Sequence, residues 1–202
     1  MIQIYDNVLP KETFEFFKSQ CVDDVSWDFV GNAAYIQADI KNVDISDKVN
    51  KYSFSRTVFG RKDGKKLPEF DVCVANITFM LANTGISING LKRIRFGLLT
   101  GSDRKIVNTP HVDFYEPHTT GLFYFNDSDG ETVFYKKIHD LQMNPHSVPQ
   151  WVTTWADDPD AVETKIECKE NRLVLFNGLN YHSSTRPTDV SKRVAMNFNI
   201  MT

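Results

Sequence analysis

The chain has 202 residues, 41% hydrophobic and 24% charged, which suits a folded core of ordinary size and excludes a disordered or fibrous chain. Lys plus Arg number 23 against 26 Asp plus Glu, a formal net charge of −3, so there is no general pull toward nucleic acid or an anionic membrane. Cys21, Cys73 and Cys168 are widely spaced, odd in number and form no CxxC pair. They predict reduced core thiols in a cytoplasmic protein rather than a disulfide framework or a zinc knuckle.

The opening MIQIYDNVLPKE has no basic start followed by an apolar run, and no stretch approaches a membrane span. Neither a signal peptide nor a transmembrane segment is expected. Pro10 opens a short helix in which Phe14, Phe17 and Cys21 fall at helical spacing. A weaker helix is predicted over 46–54 after a Ser46 cap. Pro68 opens another, with Phe70, Val74, Ile77 and Leu81 on one face and Gly85 as its stop. The region before residue 90 therefore reads as mixed or helical.

From Arg93 the period changes to two. Strands are predicted over 93–99, 106–115, 121–126, 131–136, 164–168, 172–176, 181–184 and 192–200, with a turn at 126–131. Several of the 15 Phe lie in these runs, which points to a β-rich core. The segment 139–161 has no clear period and reads as a long loop, functional or simply a surface excursion pinned by Trp151 and Trp155. In the last strand Val194, Met196, Phe198 and Ile200 share one face. Arg193, Ala195, Asn197 and Asn199 share the other. The first face is expected under the helices and the second inside a polar cavity.

His111 and Asp113 form a His-x-Asp whose side chains stand side by side on a strand. A distant His can complete a two-His, one-carboxylate triad that leaves open positions on Fe(II). His182 is the candidate. Arg193 follows eleven residues later on the cavity face, and its planar fork matches a carboxylate. The set reads as metal ligands plus an anchor for an acidic cosubstrate.

HVD at 111–113, TTGLFYFN at 119–126, DGET at 129–132, NRLVLFNG at 171–178, YHSS at 181–184 and KRVAMNFNI at 192–200 occur in an order that resembles the Fe(II)- and 2-oxoglutarate-dependent dioxygenases. The resemblance is to the prolyl 4-hydroxylase-like branch, including its small phage and bacterial members, and covers roughly residues 90–202. It implies a mainly β fold with flanking helices, a double-stranded β-helix or jelly-roll barrel. The whole chain would be one such domain, with helical support from 1–90 and the core from 91–202. It further implies Fe(II) on His111, Asp113 and His182, and 2-oxoglutarate held at its distal carboxylate by Arg193 and Tyr124. O2 would be the oxidant. The implied reaction hydroxylates a C–H bond of a peptidyl, prolyl-like or small-molecule substrate and releases succinate and CO2.

A cupin-like jelly roll that binds metal without 2-oxoglutarate is the main alternative, and Arg193 argues against it. A structural module whose His and Asp never meet is a second. A nucleic-acid demethylase is a third, and no aromatic-and-basic platform for bases supports it. His118, His139 and His146 are expected on the surface. The basic run RTVFGRKDGKK at 56–66 reads as a solvated loop or a groove edge for an acidic substrate.

Overall fold

The computed structural model describes residues 1–23, 25–31, 52–60, 63–142, 155 and 158–201. Two antiparallel sheets face each other. The larger has the strand order β1 (Ile2–Asp6), β8 (Arg172–Asn177), β5 (Thr119–Tyr124), β10 (Lys192–Met201), β4 (Gly90–Thr100), β3 (Ser53–Phe59) and β2 (Asp28–Val30). The smaller has β7 (Val162–Cys168), β6 (Ser128–Ile138) and β9 (Asn180–Ser184). Two helices, α1 (Lys11–Cys21) and α2 (Phe70–Leu81), cover the outer face of the large sheet. This is the jelly-roll barrel with flanking helices that the family resemblance implies.

Strand β10 shows why the layers form. Val194, Met196, Phe198 and Ile200 join one apolar cluster with Phe14, Phe17 and Cys21 of α1 and with Cys73, Ile77, Met80 and Leu81 of α2. Each such burial stabilises the fold by about 1.5–3 kcal/mol. Phe17, Phe123 and Phe125 form the centre of this layer, with ring centroids 5.0–6.1 Å apart. The opposite faces of β5, β8 and β10 meet the small sheet through Leu122, Tyr124, Phe134, Ile166, Val174, Phe176 and Ala195. A third cluster, Val133, Tyr135, Trp155 and Tyr181, lies outside the small sheet.

Several expectations need correction. The described part of the first ninety residues is mixed, since β1, β2 and β3 join the large sheet beside α1 and α2. Of the helix expected at 46–54, residues 46–51 lie outside the described residues, and Ser53 and Phe54 are in β3. Residues 106–115 form no continuous strand, only isolated bridges of Val107 to Thr185 and His111 to His182. The turn at 126–131 is shorter, since β6 begins at Ser128. The buried face of α2 includes Cys73 and Met80, while Phe70 and Val74 pack at the cluster rim. Phe70 instead stacks on Phe59 at 5.1 Å. The run 56–66 begins inside β3, where Arg56 bonds Glu69 at 2.5 Å; residues 61 and 62 lie outside the described residues. Most of 139–161 also lies outside them, including His146 and Trp151, although Trp155 is buried. The three cysteines are buried free thiols, with the sulfurs of Cys21 and Cys73 3.9 Å apart. No described helix is long and apolar enough to cross a membrane.

Gly121 on β5 is where the Phe198 ring of β10 enters the sheet surface, so an added Cβ would overlap that ring. Gly121→Ala should destabilise the protein by about 1–3 kcal/mol. A lower urea midpoint with an unchanged slope checks this.

Candidate metal centre

His111 and His182 are 71 positions apart in sequence, and the backbone joins them directly. The His111 N–H donates to the His182 carbonyl at 2.9 Å, and the His182 N–H donates back to the His111 carbonyl at 3.0 Å. His182 sits on β9, whose other edge pairs with Phe134 of β6. The bridge therefore extends the small sheet by one residue pair and sets the two rings 4.7 Å apart. Asp113, two residues on, turns toward the same point. The ligand atoms of His111, Asp113 and His182 all lie within 4.8 Å of one another.

Both imidazoles are fixed in tautomer. His111 Nδ1–H donates to the Thr109 carbonyl at 3.2 Å, and His182 Nδ1–H donates to the Asn180 carbonyl at 3.0 Å. Each ring thereby turns its Nε2 to the site, the nitrogen a metal would take. Burial, then the neighbouring His182, pushes the pKa of His111 down to about 4, so it stays neutral. Burial alone would raise the Asp113 carboxyl. The Arg93 guanidinium, then His182, His111 and the Asn197 amide, outweigh it and hold Asp113 well below the usual carboxylate range. Asp113 Oδ1 pairs with Arg93 of β4, and Oδ2 accepts from Asn197 at 2.8 Å and Asn199 at 3.0 Å on β10. Two imidazoles, that of His111 held neutral, and one ionised carboxylate are thus pre-arranged as an N2O donor set with the rest of the coordination sphere open.

The donors stand in a cavity of about 690 Å³, open mouth included. Its walls include Leu122, Ala195 and Asn197, with Arg193 lining it as well. Arg193 is 6% exposed and has no carboxylate partner among the described residues. Its Nε donates to the Gly130 carbonyl at 2.9 Å and its Nη2 to Thr132 Oγ1 at 2.8 Å. Tyr124 stands one layer back. Its ring lies 5.3 Å from the guanidinium carbon, and its hydroxyl bonds Thr132 Oγ1 at 2.7 Å. A buried guanidinium held only by neutral groups lacks a counter-charge, and a ligand carboxylate would supply one. Gly97 of β4 also faces this space, and a Cβ added there meets nothing within 4 Å.

The structure brings His111, Asp113 and His182 together, with Arg193 in the same cavity. Sequence reasoning missed Arg93 and Thr132. Arg93 had a signal, since period two places positions 93, 95 and 97 on one face of β4. Thr132 had none beyond its place at the start of a strand. Two histidines expected at the surface are buried. His118 is 4% exposed, donates to the Glu116 carbonyl at 2.7 Å, and fits only because Gly178 has no side chain beneath its ring. His139 is 5% exposed and bonds the Tyr181 hydroxyl at 3.1 Å. Burial lowers the pKa of both.

No protein-family model matches this sequence, and a search of curated proteins finds no match either. Solved structures do match. A Trichoplax adhaerens prolyl hydroxylase in complex with a hypoxia-inducible-factor peptide is similar over 98% of this chain and 83% of its own, with TM-score 0.57 and 14% identity. A Pseudomonas putida prolyl-4-hydroxylase matches 100% of this chain and 92% of its own, with TM-score 0.56 and 9% identity. HygX from Streptomyces hygroscopicus, solved with nickel, 2-oxoglutarate and hygromycin B bound, matches 98% and 81%, with TM-score 0.58 and 12% identity. At such identities the likeness is one of fold.

In metal-free protein the His111 shift has a stability consequence. The unfolded chain takes up this proton near pH 6.5 and the folded chain only near 4. The stability contributed by keeping His111 neutral is therefore complete above about pH 6.5 and is lost as pH falls toward 4. Urea midpoints at pH 7 and pH 5 should fall less for His111→Gln than for the wild-type protein.

Proposed function

We propose that this chain is a non-haem Fe(II)- and 2-oxoglutarate-dependent dioxygenase that hydroxylates a C–H bond of a peptidyl, prolyl-like or small-molecule substrate, releasing succinate and CO2. The observation that carries the reading is the convergence of His111, Asp113 and His182 in one cavity with an uncompensated Arg193. Bound there, Fe(II) with 2-oxoglutarate and O2 supplies the oxidising chemistry. His111 and His182 offer Nε2, held in aim by Thr109 and Asn180. Asp113 offers a carboxylate whose direction is set by Arg93, Asn197 and Asn199. Arg193 takes the distal carboxylate of 2-oxoglutarate. Tyr124 and Thr132 hold the guanidinium from behind, so Tyr124 serves the cosubstrate through Arg193. Leu122 and Ala195 keep this part of the cavity apolar, which strengthens the ion pair.

The structural neighbours support the reading: one was solved with nickel and 2-oxoglutarate, and the bound partners named are a peptide in one case and hygromycin B in another. No feature of the cavity favours a nucleic acid. A cytoplasmic setting belongs to the same proposal, and three free buried thiols suit it.

Anaerobic addition of Fe(II) and 2-oxoglutarate to metal-free protein tests this. A visible charge-transfer band that needs both additions and is absent in His182→Ala is the expected result. Iron binding without a band would replace this reading with the cupin-like one. No iron binding would end both. Arg193→Ala should retain iron but raise the 2-oxoglutarate needed for half the band by about 10–100-fold. An unchanged requirement would overturn the role of Arg193.

A further inference from the structure

The cavity holds one more cation than the proposed reaction uses. Arg93, Arg95 and Arg193 all line it, while Asp113 is the only carboxylate among the described lining residues. Arg93 is paired with Asp113. Arg193 is accounted for by the cosubstrate. Arg95 has no hydrogen bond and no ion pair among the described residues.

Its neighbours cannot answer it. In the β4–β10 ladder Arg95 is opposite Asn197, and in the β3–β4 ladder it is opposite Thr57. Asn197 is already engaged, accepting from Arg93 at 3.2 Å and donating to Asp113 at 2.8 Å. Burial and the nearby Arg93 both disfavour the charge on Arg95, and Asp113, spent on Arg93, favours it. A guanidinium stays charged at any working pH, and Arg95, partly buried at the cavity wall, has no counter-charge until an anion arrives. There is room for one, because Gly97 is the next inward position of β4 and leaves open space. The ladder also separates the two cations: the inward positions of β4 run Arg93, Arg95, Gly97, Leu99, and Arg193 is opposite Leu99, two inward positions from Arg95. Their backbone positions lie about 13–14 Å apart along the strands, which leaves room for two separate carboxylates.

We infer that Arg95 is the recognition site for a carboxylate on the primary substrate, so that the molecule hydroxylated is a small acid or a peptidyl group bearing one. This rests on the dioxygenase reading. It makes Arg95 a specificity residue that positions the substrate by its charged end while an uncharged C–H bond faces the metal site. The chemistry it takes, a carboxylate, could also come from the 2-oxo acid end of the cosubstrate, and the experiment separates the two sources.

Protein saturated with Mn(II) and 2-oxoglutarate is titrated with trifluoroacetate, and separately with trifluoroacetamide, a neutral probe of nearly the same shape. The readout is paramagnetic relaxation of the 19F signal. Trifluoroacetate should be relaxed and the amide should not. Arg95→Leu should weaken trifluoroacetate binding at least about tenfold, a loss in line with removing a charge-assisted hydrogen bond. Arg95→Lys should retain part of it. In parallel, the Fe(II) and 2-oxoglutarate band is titrated in Arg95→Leu, which also shows that the variant is folded. An unchanged 2-oxoglutarate requirement supports the proposal. A raised requirement, with trifluoroacetate excluded from the wild-type complex, assigns Arg95 to the cosubstrate and overturns it. Equal relaxation of acid and amide, or equal binding by wild type and Arg95→Leu, overturns it too. Absence of the band in wild-type protein is a failure of the dioxygenase reading instead. The 19F linewidth of trifluoroacetate with metal-free wild type and Arg95→Leu then still reports on Arg95 alone.

Discussion

Two backbone hydrogen bonds, exchanged between His111 and His182, decide whether this chain has a site at all. They close a loop of 71 residues. Closing such a loop costs about 4 kcal/mol in chain entropy, and two hydrogen bonds return roughly 1 kcal/mol each. The bridge cannot hold itself. It stands because β9 is already fixed on β6, and because Phe134 and Phe176 wall the His182 ring, with centroids at 6.3 and 5.0 Å. The three donors are therefore a property of the completed barrel and have no local existence.

Charge is the second constraint. Among the described residues the cavity wall carries three arginines and one carboxylate, and Arg193, buried without a counter-charge, opposes formation of the barrel through its desolvation cost of several kcal/mol. Neutral oxygens moderate this at Arg193 through Gly130 and Thr132, and the Tyr124 ring adds a cation–π contact. These groups orient the guanidinium without cancelling its charge. The fold keeps an attraction for anions that a better-neutralised core would lack, at the expense of its stability when empty. Ligands that supply the missing charge draw the equilibrium toward the folded state by mass action.

Much of this was legible in the chain. The two faces of 192–200 separate core from cavity as alternation alone requires, and α1 buries Phe14, Phe17 and Cys21 as its spacing predicts. Other parts were not legible, for physical reasons. β1, β2 and β3 are short or sit toward the sheet margins, where half-exposed residues blur the alternation. The segment around His111 reads as a strand but pairs only at isolated points, a matter of partner geometry rather than propensity. His118 is buried because Gly178, 60 positions away, leaves a hollow for its ring, and nothing near His118 announces that. The partners of Asp113 come from β4 and β10: Asn197 and Asn199 were legible as cavity-facing residues, but that they and Arg93 would close on Asp113 was not.

The strand order also has a consequence for how the chain is made. Among the described residues β1 pairs only with β8, so Ile2 to Asp6 must wait for Arg172 to Phe176. At about 5–20 residues per second, a ribosome needs roughly ten to thirty seconds to supply that partner. Until then the edge of β1 is open, and Ile4 stays 45% exposed even in the finished protein. For that interval the edge of β1 is without this partner. The sheet margin formed by β1 thus closes late, after α1, α2 and β4 have been made.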